Sequence, residues 1–180
     1  VYFAVSGADA LEIAIKTALL AHRGRRSRIL AFEPSYHGLT LGALHLSSRP
    51  EFRDPFATHL HPHVERLPFA CDVSEVDRIL RSGDFAALVL EPIVGREGVL
   101  VPPAGWTAEL SDVCSRHGTL LVADEIFTGF GRAGRRWAVD HDGTVPDLLC
   151  CGKALAGGMP IAAVISSERV MSAWKTPGEA

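Results

Sequence analysis

The chain has 180 residues, 47% of them hydrophobic, with 18 basic residues against 21 acidic ones and a net charge of −3. This is enough to bury one substantial core in a single domain. It has no run of like charge, no apolar stretch of the roughly 18 residues a bilayer span requires and no charged-then-apolar leader, so it predicts no nucleic-acid partner, no membrane partner and a cytoplasmic protein. Its four cysteines, Cys71, Cys114, Cys150 and Cys151, show no C-x-x-C spacing. Neither a zinc site nor a disulfide framework is therefore expected, and a reducing compartment fits.

In chain order, the apolar run from Val1 to Val5 predicts a buried strand entered without preceding structure. A helix is expected from about Gly7, with Leu11, Ala14, Ile15 and Ala18 on one face, a Glu12–Lys16 pair on the other, Ser6-x-x-Asp9 as its capping box and Gly24 ending it. Arg28 to Phe32 is the next strand, followed by a loop and a helical stretch from about His37. The Pro- and His-rich region from Arg49 to Asp72 is expected as an extended surface connection. Ser74 is expected to cap a helix containing Val76, Ile79 and Leu80, closed by Gly83.

Ala86 to Leu90 is the strongest strand, stopped at Glu91-Pro92. Pro103 suits a helix start, Trp106, Leu110 and Val113 share a face, and Gly118 ends that helix before the strand Thr119 to Ala123. Leu148 to Cys151 and Ile161 to Ile165 are further strands. Alternating strands and helices predict an α/β fold with a mostly parallel sheet flanked by helices. The closing segment, Thr176 to Ala180, is loop-like, and the two ends together predict a fragment.

In open α/β sheets, ligands bind outside the carboxyl ends of the strands, so polar residues there are the first candidates. Val5-Ser6-Gly7-Ala8 is a small-residue turn into a helix, where free N–H groups and the positive end of the helix dipole favour a phosphate. Asp124-Glu125 directly follows an apolar strand. Lys153 also follows one and precedes Ala154-Leu155-Ala156-Gly157-Gly158, a setting in which a lysine of lowered pKa can form imines with carbonyl compounds.

Five segments occur in the order found in the class III aminotransferases: the phosphate turn, Tyr36-His37-Gly38, Glu91-Pro92-Ile93, Ala123-Asp124-Glu125-Ile126 with Gly129-Phe130-Gly131-Arg132, and Gly152-Lys153. The chain resembles that family over essentially its whole length. The resemblance implies the three-layer large domain of the fold type I pyridoxal-phosphate enzymes, present here in part over residues 1–180, with the small domain and C-terminal part absent. It also implies a pyridoxal 5'-phosphate cofactor and transfer of an amino group from an amine or ω-amino acid donor to a keto-acid acceptor.

Under the same resemblance Lys153 forms the Schiff base and then shuttles a proton, while Asp124 pairs with the pyridine nitrogen. Tyr36 stacks on one face of the ring and Ile126 on the other, and Gly7 and Ala8 give N–H groups to the phosphate. Glu91 matches a family glutamate close to the site, and a homodimer is expected of the intact protein. Two positions depart from the family pattern. Phe127 stands where many members carry a glutamine that contacts the cofactor's phenolic oxygen. Arg96 stands near a substrate-gating glutamate of some members, which argues against an ornithine-like or 4-aminobutyrate-like donor.

A mutase or decarboxylase on the same scaffold, or a folded but non-catalytic fragment, are the alternatives. His59, His61 and His63 alternate, but Pro62 interrupts them and no carboxylate completes a site, so no metal is expected. His37 is expected to support its loop rather than act as a base. Gly152-Lys153 lacks the residues of a nucleotide-binding loop, and no serine sits in a hydrolase elbow.

Overall fold

The computed structural model describes residues 1–60 and 62–175. Its elements run β1 (Tyr2–Ala4), α1 (Gly7–Ala21), β2 (Arg28–Glu33), α2 (Leu41–Leu46), α3 (Pro50–Arg53), β3 (Val64–Pro68), α4 (Val73–Leu80), β4 (Phe85–Leu90), α5 (Trp106–His117), β5 (Leu120–Asp124), β6 (Leu148–Cys151), β7 (Ala162–Ser166) and α6 (Glu168–Met171). The strands form one sheet in the order β1-β7-β6-β5-β4-β2-β3. The pairings from β3 through β6 are parallel, while β7 runs antiparallel to both β6 and β1.

Side chains alternate across each strand, and this period of two sorts the core into two layers. Ile29, Ala31, Val89, Val122 and Cys150 face α1, together with Leu11, Ala14 and Ala18. Leu30, Phe32, Leu88, Leu90 and Leu121 face α4 and α5, meeting Val76, Leu80, Trp106 and Leu110. Central strand β4 is buried at every position, as expected of a parallel strand covered on both faces. The adjacent cysteines divide the same way: Cys150 faces α1, and Cys151 joins Leu149 and Ala163 on the other side. All four cysteines are free. No described helix is long and apolar enough to cross a membrane.

Several expectations are corrected. β1 is an edge strand, not a buried one: Ala4 is buried, but Phe3 is 69% exposed and Val5 68%, because β7 covers β1 on one side only. The region from Arg49 to Asp72 holds α3 and the far edge strand β3, whose register along β2 is fixed by Ile29↔Val64 to Glu33↔Pro68. The helix after β2 starts at Leu41 rather than near His37. Asp72, not Ser74, caps α4, accepting the Ser74 N–H at 2.8 Å. α5 begins at Trp106 because Gly105 turns left-handed there.

Ser6 does cap α1, accepting the Asp9 N–H at 3.2 Å, but the Asp9 carboxylate reaches back to the Val5 N–H at 3.0 Å, one residue beyond the box. Glu12 accepts the Gly42 N–H at 2.7 Å instead of pairing with Lys16, and so ties α1 to α2. Of the alternating histidines, His61 lies outside the described residues, His59 ends a 3-10 turn and His63 precedes β3. Among the described residues no cluster of His, Cys, Asp or Glu could hold a metal.

The chain leaves β2 toward β3 on one side and leaves β4 toward β5 on the other. This reversal between β2 and β4 opens a crevice at the carboxyl ends of the strands, the usual ligand position in such sheets.

Candidate active site

A cavity of about 920 Å³ occupies this crevice. Gly7, Ala8, Tyr36, Glu91, Asp124, Ile126 and Lys153 all line it, so the structure brings together every site residue expected from the sequence. They arrive from separate elements: the α1 start, the segment after β2, the ends of β4 and β5, and the turn after β6.

At one end lies the start of α1. Ser6 takes the Asp9 N–H, and the first-turn N–H groups of Gly7 and Ala8 have no helical acceptor, which makes this end a ready anion cradle. Ile126 wedges between two glycines there: a Cβ on Gly7 would meet Ile126 Cγ2 at 2.9 Å, and one on Gly152 would meet Ile126 Cδ1 at 3.1 Å. Gly38 presses on the same turn, with φ of 125° and an added Cβ only 2.6 Å from the Ala8 Cβ. Gly38→Ala is therefore expected to destabilise the fold by roughly 1–3 kcal/mol, read as a lower urea midpoint. An unchanged midpoint would mean that this loop does not pack on α1 as described.

Asp124 forms the floor. It is 4% exposed, and its Oδ1 accepts the Ile126 N–H at 3.1 Å while Oδ2 lies 2.8 Å from Nδ1 of the fully enclosed His37. Burial alone pushes the His37 imidazole down, but the hydrogen bond to Asp124 and the charges of Asp124 and Glu91 outweigh it, so its pKa stands above the ordinary histidine value. The imidazolium form of His37 is thereby favoured. His37 thus does more than support its loop, although its backbone N–H also donates to Ser47 Oγ at 2.9 Å. The Tyr36-His37-Gly38 segment marked its place, but not its partner 87 residues away.

Glu91 is a clamp: it accepts the N–H groups of Tyr36 at 2.8 Å and Gly95 at 3.1 Å, joining the segments that follow β2 and β4. Burial holds its carboxyl above the ordinary range, the His37 charge partly offsets this, and Asp124 adds to it. Glu125 turns away from the cavity, where Thr128 Oγ1 and the Val139 N–H bind it and pin the loop after β5.

Lys153 stands at the mouth in a left-handed backbone conformation, φ 41°, which costs an L-residue on the order of 1–2 kcal/mol. Burial lowers its amine below the ordinary lysine range. Asp124 and Glu91 pull it back up, while Arg132 and Arg96 add to the lowering. More of the amine is therefore neutral, and nucleophilic, than in a solvated lysine. Its Nζ lies 5.2 Å from the centre of the Phe127 ring, which fills the space beside Gly95. A second cavity, of about 1060 Å³, opens at the amino ends of the strands. There Asp147 and Arg169 pair with each other at 3.5 Å, and no comparable set of reactive groups converges.

The arrangement offers an amine nucleophile, a buried charged pair and an anion cradle around one cavity. Known proteins resemble this chain in sequence and fold. The sequence profile described as "Aminotransferase class-III" matches residues 1–180. The acetylornithine aminotransferase of Methanopyrus kandleri is 41% identical over 99% of this chain and 44% of its own length. The adenosylmethionine-8-amino-7-oxononanoate aminotransferase of Nitratidesulfovibrio vulgaris is 37% identical over 94% of this chain and 36% of its own. Among solved structures, ornithine aminotransferase from Toxoplasma gondii ME49 superposes with a TM-score of 0.92 at 32% identity, over 99% of this chain and 44% of that one. An amine transaminase from an uncultivated Pseudomonas species, solved in its PLP-bound form, gives 0.84 at 30% identity, over 96% and 44%. The chain thus spans less than half the length of the curated relatives it matches. On this evidence the chain belongs to the class-III aminotransferase family.

Proposed function

We propose that the chain forms part of the large domain of a pyridoxal-phosphate-dependent transaminase, which moves an amino group from an amine or ω-amino acid to a keto acid. The observation that carries this reading is the Asp124–His37 pair, buried at 2.8 Å in the floor of the cavity that Lys153 also lines. Free first-turn N–H groups, an enclosed carboxyl group and an amine of lowered pKa suit a phosphate, a pyridine nitrogen and an aldehyde respectively. The residues present fit that cofactor.

Pyridoxal phosphate, when bound, supplies an electron-accepting ring for chemistry at the substrate Cα. Lys153 would hold the cofactor through its ε-amine and, with that amine freed, would be placed to carry a proton at the reacting carbon. Asp124, hydrogen-bonded to His37, would pair with the pyridine nitrogen and favour its protonated form. Gly7 and Ala8 would donate to the phosphate, Tyr36 and Ile126 would pack against the ring, and Glu91 holds the Tyr36 segment in place. Both half-reactions use one site, so the kinetics are ping-pong. The intact protein acts as a homodimer in the cytoplasm, and neither a membrane nor a nucleic acid takes part.

The test mixes the full-length protein and pyridoxal phosphate with an amine donor and a keto acid. Stoichiometric conversion of keto acid to amino acid is expected. Rearranged or decarboxylated product with no consumption of keto acid would replace this reading with a mutase or decarboxylase. The attachment of pyridoxal phosphate to the protein is also expected to persist to lower pH than its attachment to free lysine, followed by absorbance, because the Lys153 pKa is lowered. Identical pH profiles would contradict the electrostatics described for Lys153.

A further inference from the structure

Charged groups of both signs line the cavity, and its two carboxyl groups are held by partners within the chain. Glu91 is engaged by two backbone N–H groups, and Asp124 by His37 and the Ile126 N–H. Next to them Arg96 has no carboxylate partner among the described residues, although the adjacent Glu97 pairs with Arg49 at 2.6 Å. Apart from Lys153, Arg96 is the only Lys or Arg among the described residues that lines the cavity.

Its position is defined. The bridge between Val94 and Leu100 closes the turn that carries it, and Glu91 grips that turn through the Gly95 N–H. The guanidinium lies over the Tyr36 ring, 4.4 Å from its centre, and 5.3 Å from the centre of Phe52. Contact with the two rings confines the guanidinium, whose fork of N–H donors matches a carboxylate.

We propose that Arg96 is a specificity-determining residue that binds a substrate carboxylate remote from the reacting carbon. The inference rests on the transaminase reading above. When Lys153 is committed to the cofactor, Arg96 is the one Lys or Arg left among the described residues lining the cavity to meet an anionic substrate group, since His37 is enclosed and bound to Asp124. A substrate with a carboxylate at that end gains a bidentate, charge-assisted contact. One with a methyl group there leaves the guanidinium without it.

The test uses the full-length protein loaded with pyridoxamine 5'-phosphate, mixed in single turnovers with 2-oxoglutarate or with 2-oxopentanoate, which has the same chain length but lacks the distal carboxylate. The reading is the ratio of the two second-order rate constants, followed by absorbance. Arg96→Gln is expected to lower the ratio about 10- to 100-fold, the size of a bidentate charge-assisted contact, with Arg96→Lys intermediate. Calorimetric titration of the pyridoxal-phosphate-loaded protein with glutarate, which cannot react, is expected to show a matching loss of affinity in Arg96→Gln. If both rate constants fall together and glutarate binds unchanged, Arg96 merely braces Tyr36 and the proposal is overturned. If neither keto acid reacts in the unsubstituted protein, the transaminase reading itself fails, a result distinct from an unchanged ratio.

Discussion

Replacing Lys153 with alanine in the full-length protein is expected to remove the cofactor's covalent anchor and to lower amino transfer on the order of 10⁴-fold or more, since nucleophile and proton carrier are lost together. Borohydride reduction followed by peptide mass spectrometry locates the anchor directly: a pyridoxyl group on Lys153 in the unsubstituted protein, and none on that peptide in the variant. The fold should survive, because the Lys153 side chain belongs to no core cluster and alanine at its φ of 41° meets the same backbone strain as lysine. An adduct on another lysine, in a protein shown to be folded, would overturn the assignment of the anchor and with it the proposed chemistry.

Asp124→Asn keeps the shape of the side chain and removes its charge. Losing one preorganised charge from an enclosed site typically costs 10²–10³ in rate, so a fall of about that size is expected in the proton-transfer step. The variant also tests the pair beneath the cavity. The His37 pKa is raised in the folded protein, so the stability the pair contributes is fully present below the ordinary histidine value of 6.5 and is lost as pH rises through the folded value. The stability gap between Asp124→Asn and the unsubstituted protein is therefore expected to be widest just below that value and to narrow at higher pH, as read from urea denaturation at a series of pH values. In the variant an NMR titration should show the His37 pKa moving down, since burial then acts without the carboxylate. A His37 pKa that stays put would mean that Asp124 does not hold its proton.

Most of the fold was legible locally. The apolar runs at Ala86–Leu90 and Leu148–Cys151 and the helical spacing of Leu11, Ala14 and Ala18 carry their own period, and each became the element expected. Where local chemistry offered two solutions, the structure chose. Asp72 and Ser74 are both good caps, and the choice of Asp72 starts α4 at Val73. Val64–Pro68 is only half-apolar because it pairs on one side alone, with β2, and a sequence pattern tuned to buried strands passes over it.

Residue type and motif order determined the α/β class, the family and the list of residues around the cavity: Gly7, Ala8, Tyr36, Glu91, Asp124, Ile126 and Lys153. The tertiary structure alone decided that Val1 to Val5 lies at an edge, that Glu12 turns to Gly42, that His37 meets Asp124 and that Arg96 stacks on Tyr36. The division has a physical cause. Periodicity and capping are set by backbone geometry within a few residues, so the sequence states them directly. A buried hydrogen bond or a stacked guanidinium joins residues far apart in the chain, and only the register and order of the strands bring such partners within a few ångströms.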